Sequence, residues 1–164
     1  MTDLAERLRA VEDRLALLEL EGAYARTWDA ADAEGWAGLF TPDGVFEMAA
    51  LGERPGARLE GHHRLREFCR DVNTQFQGLH TLHLPTLAVD GDRATGSLHF
   101  EFHSGRSTPQ AREVASVTGL YEVRYRRTDA GWRIEHRFER ATSRSSHVFH
   151  PGFYPASGVG QVQG

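Results

Sequence analysis

The 164-residue chain contains no lysine, and all 19 of its basic residues are arginine. This removes mechanisms that need a lysine amine: a Schiff base, an anchored pyridoxal phosphate or a P-loop phosphate clamp. Cysteine is almost missing as well. Cys69 stands alone, so the chain forms no internal disulfide, which fits a reducing, cytoplasmic setting. No apolar run approaches the roughly 20 residues of a bilayer-spanning helix, so no transmembrane helix and no membrane partner are expected. The opening stretch MTDLAERLRAVEDRL is charged and lacks the apolar segment of a secretory signal. Positive charge is not in excess: the net charge of −4 argues against nucleic acid, whose binding rests on neutralising phosphates. There is no Gly-x-Ser-x-Gly elbow and no glycine-rich loop in a strand-to-helix setting, so neither a serine nucleophile nor a dinucleotide is expected.

What is present is ordinary globular material, 40% hydrophobic and 26% charged, in a length that suits one domain. Residues 3–20 read as an amphipathic helix with Asp3 as its cap. Leu4, Leu8, Val11, Leu15 and Leu18 recur at three- and four-residue steps, as the packing face of that helix or as a surface for a partner helix. The helical pattern resumes through Tyr24, Trp28 and Asp29, breaks at residues 30–32, and continues in a short helix with Trp36, Leu39 and Phe40. Thr41-Pro42-Asp43-Gly44 predicts a turn, with Gly44 free to take positive φ, and Val45-Phe46-Glu47-Met48 a strand. Residues 52–61 form a hairpin or exposed loop, and 62–76 a helix with Leu65, Phe68, Cys69 and Val72 on one side.

From His80 the period becomes two. Strands are predicted over 81–89, 93–103, 114–126 and 132–142, with Asp90-Gly91-Asp92 and Thr128-Asp129-Ala130-Gly131 as turns. In the second of these strands Ala94, Gly96, Leu98, Phe100 and Phe102 share one face, and Thr95, Ser97, His99, Glu101 and His103 the other. Helices followed by an antiparallel meander make an α+β pattern. Residues 1–143 are read as the domain. Residues 144–164, with Phe149, Phe153 and Tyr154, are read as a tail that closes over the pocket or reaches a neighbouring subunit.

The ordered set Tyr24, Trp28-Asp29, Leu39-Phe40-Thr41-Pro42-Asp43-Gly44-Val45-Phe46, Gly61, His80, Asp90-Gly91-Asp92-Arg93-Ala94, Gly131-Trp132-Arg133-Ile134 and Arg137 resembles the SnoaL-like branch of the nuclear transport factor 2-like superfamily. The resemblance covers roughly residues 5–142. It implies a cone-shaped α+β barrel, N-terminal helices packed on a curved antiparallel sheet enclosing a pocket, and a homodimer or homotrimer. Within the branch the chain looks most like the dehydratase and dehydrohalogenase members, of the scytalone dehydratase, bile-acid 7α-dehydratase and hexachlorocyclohexane dehydrochlorinase kind. Their aspartate–histidine pair falls on Asp29 and His80, and an arginine of the closing strand on Arg137. Where those members have an asparagine shortly after the histidine, this chain has Leu84, between His83 and Pro85, and so no amide there.

The chemistry implied is removal of a carbon-bound proton, then loss of a leaving group. Histidine suits it, because its pKa lies near neutrality and a buried carboxylate fixes its tautomer and stabilises the imidazolium. From the residues alone, Asp29 is either that carboxylate or the cap of the next helix, and His80 either the base or a satisfied core or edge histidine. Tyr24 is a third catalytic candidate, as acid or hydrogen-bond donor, or else a core aromatic with a wet tip. Arg137 binds an anionic leaving group or a carbonyl oxygen, or pairs across strands with Glu101 or Glu122. His99 or His103, Trp28 and Phe46 are the remaining substrate-binding candidates. No metal site is expected. His99 and His103 lie about 13 Å apart on a strand at about 3.3 Å per residue, and His80 and His83 point to opposite faces. Cys69 reads as a small core residue.

The reading is therefore a cofactor-free dehydratase or lyase acting on a hydrophobic, cyclic or carbonyl-bearing small molecule. An isomerase or polyketide cyclase on the same groups, and a non-catalytic binding module, are the alternatives. A subunit supporting a larger oxygenase is a further one, expected to show an exposed apolar surface and no dyad in the pocket.

Overall fold

The computed structural model describes residues 3–107 and 111–149. In chain order it has α1 (Leu4–Asp29), α2 (Ala33–Gly38), β1 (Phe40–Met48), β2 (Ala57–Glu60), α3 (Gly61–Gln75), β3 (Gln77–Leu82), β4 (Thr86–Asp90), β5 (Arg93–Ser107), β6 (Arg112–Thr128) and β7 (Gly131–Phe149). The seven strands form one curved sheet in the order β2-β1-β7-β6-β5-β3, with β4 also paired to β5. The three helices cover its concave face, as the α+β reading expects, but the sheet is not closed into a barrel. Nor is it purely antiparallel, because β1 runs parallel to β7.

The helix pattern runs unbroken through Gly22 to Asp29. Asp3 occupies the cap position, but its side chain makes no capping bond. The buried face of α1 is Asp13, Leu17, Leu20, Glu21, Tyr24 and Trp28. The leucine stripe is not the packing face within this chain: Leu4, Leu8, Val11 and Leu15 are exposed, and only Leu18 touches the core. The reason is that α1 carries two apolar faces, and the one bearing the larger aromatic residues is buried in the sheet.

Between α1 and α2 the chain reverses at Ala31, which takes φ +56. Asp32, not Asp29, caps α2, its Oδ1 accepting from the Gly35 N–H at 2.9 Å. Asp29 is thereby left for other work.

Leu39 lies just past α2, and Phe40 already belongs to β1. The expected turn at Thr41–Gly44 is an irregularity inside that strand, where pairing with β7 slips between Phe40 and Val45. Gly44 is needed there for closeness rather than for positive φ, because a Cβ would lie 2.7 Å from Phe40 Cβ. The predicted strand 81–89 divides into β3 and β4 around His83-Leu84-Pro85, where proline removes a ladder donor. The hairpin turn at Gly91 is as predicted, with φ +56. The closing strand runs on to Phe149, so the first part of the expected tail is paired with β6. Residues 150–164, with Phe153 and Tyr154, lie outside the described residues.

The core between helices and sheet is aromatic. Trp36 packs on Trp28, Phe40 and Tyr24 at centroid distances of 4.9, 5.1 and 5.6 Å. Each side chain of this kind buried from water contributes about 1.5–3 kcal/mol. This packing fixes the face of α1 that carries Tyr24 and Trp28, and with it the position of Asp29.

Candidate active site

Asp29 is the last residue of α1, and His80 lies within β3, an edge strand whose inner neighbour is β5. The Asp29 carboxylate reaches that edge and accepts the His80 backbone N–H at 3.0 and 3.2 Å. Its Oδ1 also accepts from the ring Nδ1 at 2.8 Å. Three contacts from one carboxylate hold both the strand and the ring. Because a carboxylate only accepts, Nδ1 carries the proton and Nε2 is the basic nitrogen. The pair is well covered, with side-chain exposures of 5% for His80 and 16% for Asp29.

His80 lines a cavity of about 290 Å³ between α1, α3 and the concave face of the sheet. Asp29 stands behind the ring rather than in the wall. The wall is mostly apolar: Trp28, Phe46, Phe68, Phe100, Phe102 and Val117 are among its members. Phe102 lies 4.6 Å from the His80 ring, and Tyr24 and Trp28 lie 6.0 and 6.1 Å away. The buried Trp28 Nε1–H has no acceptor among the described residues. Arg54 and Arg144 are exposed members of the lining and mark its solvent end.

Of the catalytic candidates, His80 and Tyr24 line the cavity with Trp28 and Phe46, and Asp29 meets His80 from behind. The other three do not reach the cavity. His99 and His103 lie on the outward face of β5, both exposed, and His103 Nε2 sits 3.1 Å from Glu101. The cavity takes the apolar face of that strand instead, through Phe100 and Phe102, because burial selects the apolar side of an alternating strand. Arg137 is fully buried, but beneath the wall. Its guanidinium donates to both Glu21 carboxylate oxygens at 3.0 and 2.7 Å and lies 3.7 and 4.0 Å from the Tyr24 and Tyr121 ring centres. Its partner therefore comes from α1 and is neither Glu101 nor Glu122.

Of the polar groups of the wall that were not foreseen, Tyr121 and Glu139 bear most on its chemistry. Tyr121 lies 5.8 Å from the Tyr24 ring, and burial pushes both phenols well above their ordinary range, so both stay protonated. Glu139 also lines the cavity. Burial raises its carboxyl, only partly opposed by Arg54, Arg137 and a hydrogen bond with Tyr121. The signal for Glu139 was its place two residues after Arg137, on the same side of β7.

Among the described residues no group of three or more His, Cys, Asp or Glu is gathered to hold a metal ion. Cys69 is buried and its thiol is pushed up to about 11 by that burial, which leaves it a packing residue. Among the described residues no helix is long and apolar enough to cross a membrane.

Comparison with solved structures returns the same architecture. A candidate aromatic ring hydroxylase from Novosphingobium aromaticivorans is 26% identical, with 84% of this chain and 94% of that one covered and a TM-score of 0.74. An NTF2-like protein with a cystatin-like fold from the same species is 27% identical, covering 87% and 92%, with a TM-score of 0.67. A hexachlorocyclohexane dehydrochlorinase, LinA type 2, is 14% identical over 86% and 93%, with a TM-score of 0.73, a likeness of fold. No curated protein matches. The sequence profile of the SnoaL-like domain matches residues 9–138, and with the fold and the cavity already described, the chain belongs to the SnoaL-like family.

Proposed function

We propose that the protein is a cofactor-independent acid–base enzyme that removes a carbon-bound proton from an apolar, cyclic or carbonyl-bearing small molecule and releases a leaving group, as a dehydratase or other lyase does. The observation that carries this reading is the 2.8 Å contact of Asp29 with His80 Nδ1 at the wall of a mostly apolar cavity. Nε2 takes the proton, and the imidazolium that forms is stabilised by the Asp29 carboxylate. An apolar wall suits such a step, since charge–charge attraction is stronger away from water. Tyr24, kept as a phenol, and the Trp28 indole N–H are donors for a substrate oxygen. Glu139, raised toward its acid form, is the group suited to protonate the departing one. Arg137 acts from behind: it carries no contact to the cavity and holds the Tyr24 and Tyr121 rings in place. The 290 Å³ volume fits a compact ring system rather than a polymer or a nucleotide.

The pocket dyad supports an enzyme over a subunit that serves a larger oxygenase, for which no dyad is expected. It does not by itself choose a lyase over an isomerase or cyclase, which use the same base and return the proton.

The test is proton exchange and elimination measured by NMR in D2O on a panel of cyclic ketones, β-hydroxy ketones and halogenated rings. The expected result is exchange or elimination with at least one class, reduced by roughly 100- to 10,000-fold in His80→Ala and in Asp29→Asn, with circular dichroism unchanged. Full activity in His80→Ala would sink the dyad. Ligand binding without exchange across the panel would favour the binding module.

A further inference from the structure

We propose that the outer face of α1 forms a parallel two-stranded coiled coil with α1 of a second copy of this chain. The exposed apolar residues follow the heptad pattern, with steps of four, three, four and three from Leu4 through Leu8, Val11 and Leu15 to Leu18. The first four of them are more than half exposed, at 75, 56, 54 and 54%. This face lies about half a turn around the helix from the buried one, so two copies meeting here hold their sheets on opposite sides without collision. At the other end the stripe stops at Gly22, over which the Arg26 guanidinium lies.

Charge decides the occupant and its direction. Arg7 and Arg14 flank the seam on one side, and Glu12 and Glu19 on the other. In a parallel pair, a flanking residue meets the one five positions further along the partner. Arg7 then meets Glu12 of the second copy, and Arg14 meets Glu19, with the same pairs repeated in reverse by symmetry. An antiparallel pair would set arginine against arginine and glutamate against glutamate. Arg7, Glu12 and Glu19 have no ion-pair partner among the described residues. Arg14 donates to the Leu87 carbonyl at 3.3 Å and keeps further donors free. Two heptads are short for a free coiled coil. Here each helix is already held by its inner face, so association does not carry the cost of nucleating it. The inference does not depend on the dyad or on any activity.

The experiment is sedimentation velocity of the full chain across micromolar concentrations. A dimer mass is expected for the natural sequence, and a monomer for Leu8→Glu with Leu15→Glu, positions exposed enough that thermal melting of the monomer is unaltered. Arg7→Glu with Arg14→Glu, and Glu12→Arg with Glu19→Arg, are each expected to be monomeric alone and to form a mixed dimer together. Leu8→Cys is expected to cross-link to itself on oxidation, the buried Cys69 staying silent. A monomer, or a dimer unaffected by Leu8→Glu with Leu15→Glu, overturns the proposal. A dimer that those changes dissolve, but in which Leu8→Cys fails to cross-link, overturns the parallel arrangement.

Discussion

Helix α1 holds two groups of the sheet through carboxylates about two turns apart, and the two pairs behave differently. Glu21 meets Arg137, with side-chain exposures of 4 and 0%, both carboxylate oxygens engaged and Tyr125 donating to Glu21 at 2.8 Å. Asp29 meets His80 at the cavity wall. Arginine stays protonated whatever surrounds it, so the first pair moves no proton and serves as a fixed clamp between helix and sheet. An imidazole, unlike a guanidinium, can both take up and give back a proton, so the second pair is the one that the proposed function assigns to proton transfer. The partner's chemistry and its access to the cavity, more than burial or bond length, distinguish the two pairs.

The largest expected effect would come from breaking the second pair, the loss of turnover in His80→Ala and Asp29→Asn already described. The next would come from the first pair. Glu21→Ala leaves Arg137 charged and alone in the core and is expected to cost about 3–5 kcal/mol in urea unfolding, while Glu21→Leu with Arg137→Met recovers most of that. A cost below about 1 kcal/mol for Glu21→Ala would show that the clamp does not hold the fold.

Glu139 sharpens the comparison through pH. Its folded pKa is raised above 4.5 by burial, so the folded state binds the proton more tightly than the unfolded one. Its contribution to stability is present in acid and lost as pH rises through the folded value. Stability measured against Glu139→Gln should therefore fall as pH climbs above about 4.5. A flat difference would remove Glu139 from the role of acid. The smallest effect is expected at Asp32, three residues from the dyad. Asp32→Ala should cost about 0.5–2 kcal/mol through the lost cap of α2 and leave turnover within a few fold.

The contact of Asp29 with His80 was legible because the two sit in a recognisable order of landmarks, whereas alternation in β5 put Phe100 and Phe102 on one face without showing that this face, rather than that of His99 and His103, lines the cavity. Glu139 was hidden by an irregularity in β7, and Arg144 by the length of that strand, which was expected to end at residue 142. Ile134 pairs with Tyr125 but His136 with Arg124, so Glu135 is an extra residue that flips the parity of β7. The inward side then passes from Trp132 and Ile134 to Arg137 and Glu139, where simple alternation would have pointed His136 and Phe138 inward. Thr142 is a second extra residue and restores the original parity, so Arg144 reaches the cavity where alternation from Trp132 and Ile134 would place it.

The sequence by itself determined the helices, the long strands β5, β6 and β7 in their order, the hairpin at Gly91 and the α+β class. Periodicity and turn chemistry act within a few residues and need no distant partner. Only the tertiary structure decided which apolar face of α1 is buried, that β1 lies parallel to β7, that His99 and His103 face outward, and that Arg137 belongs to Glu21. Each of these depends on which surfaces compete for the same core and on where strands slip in register, and neither is written in any local stretch of the chain.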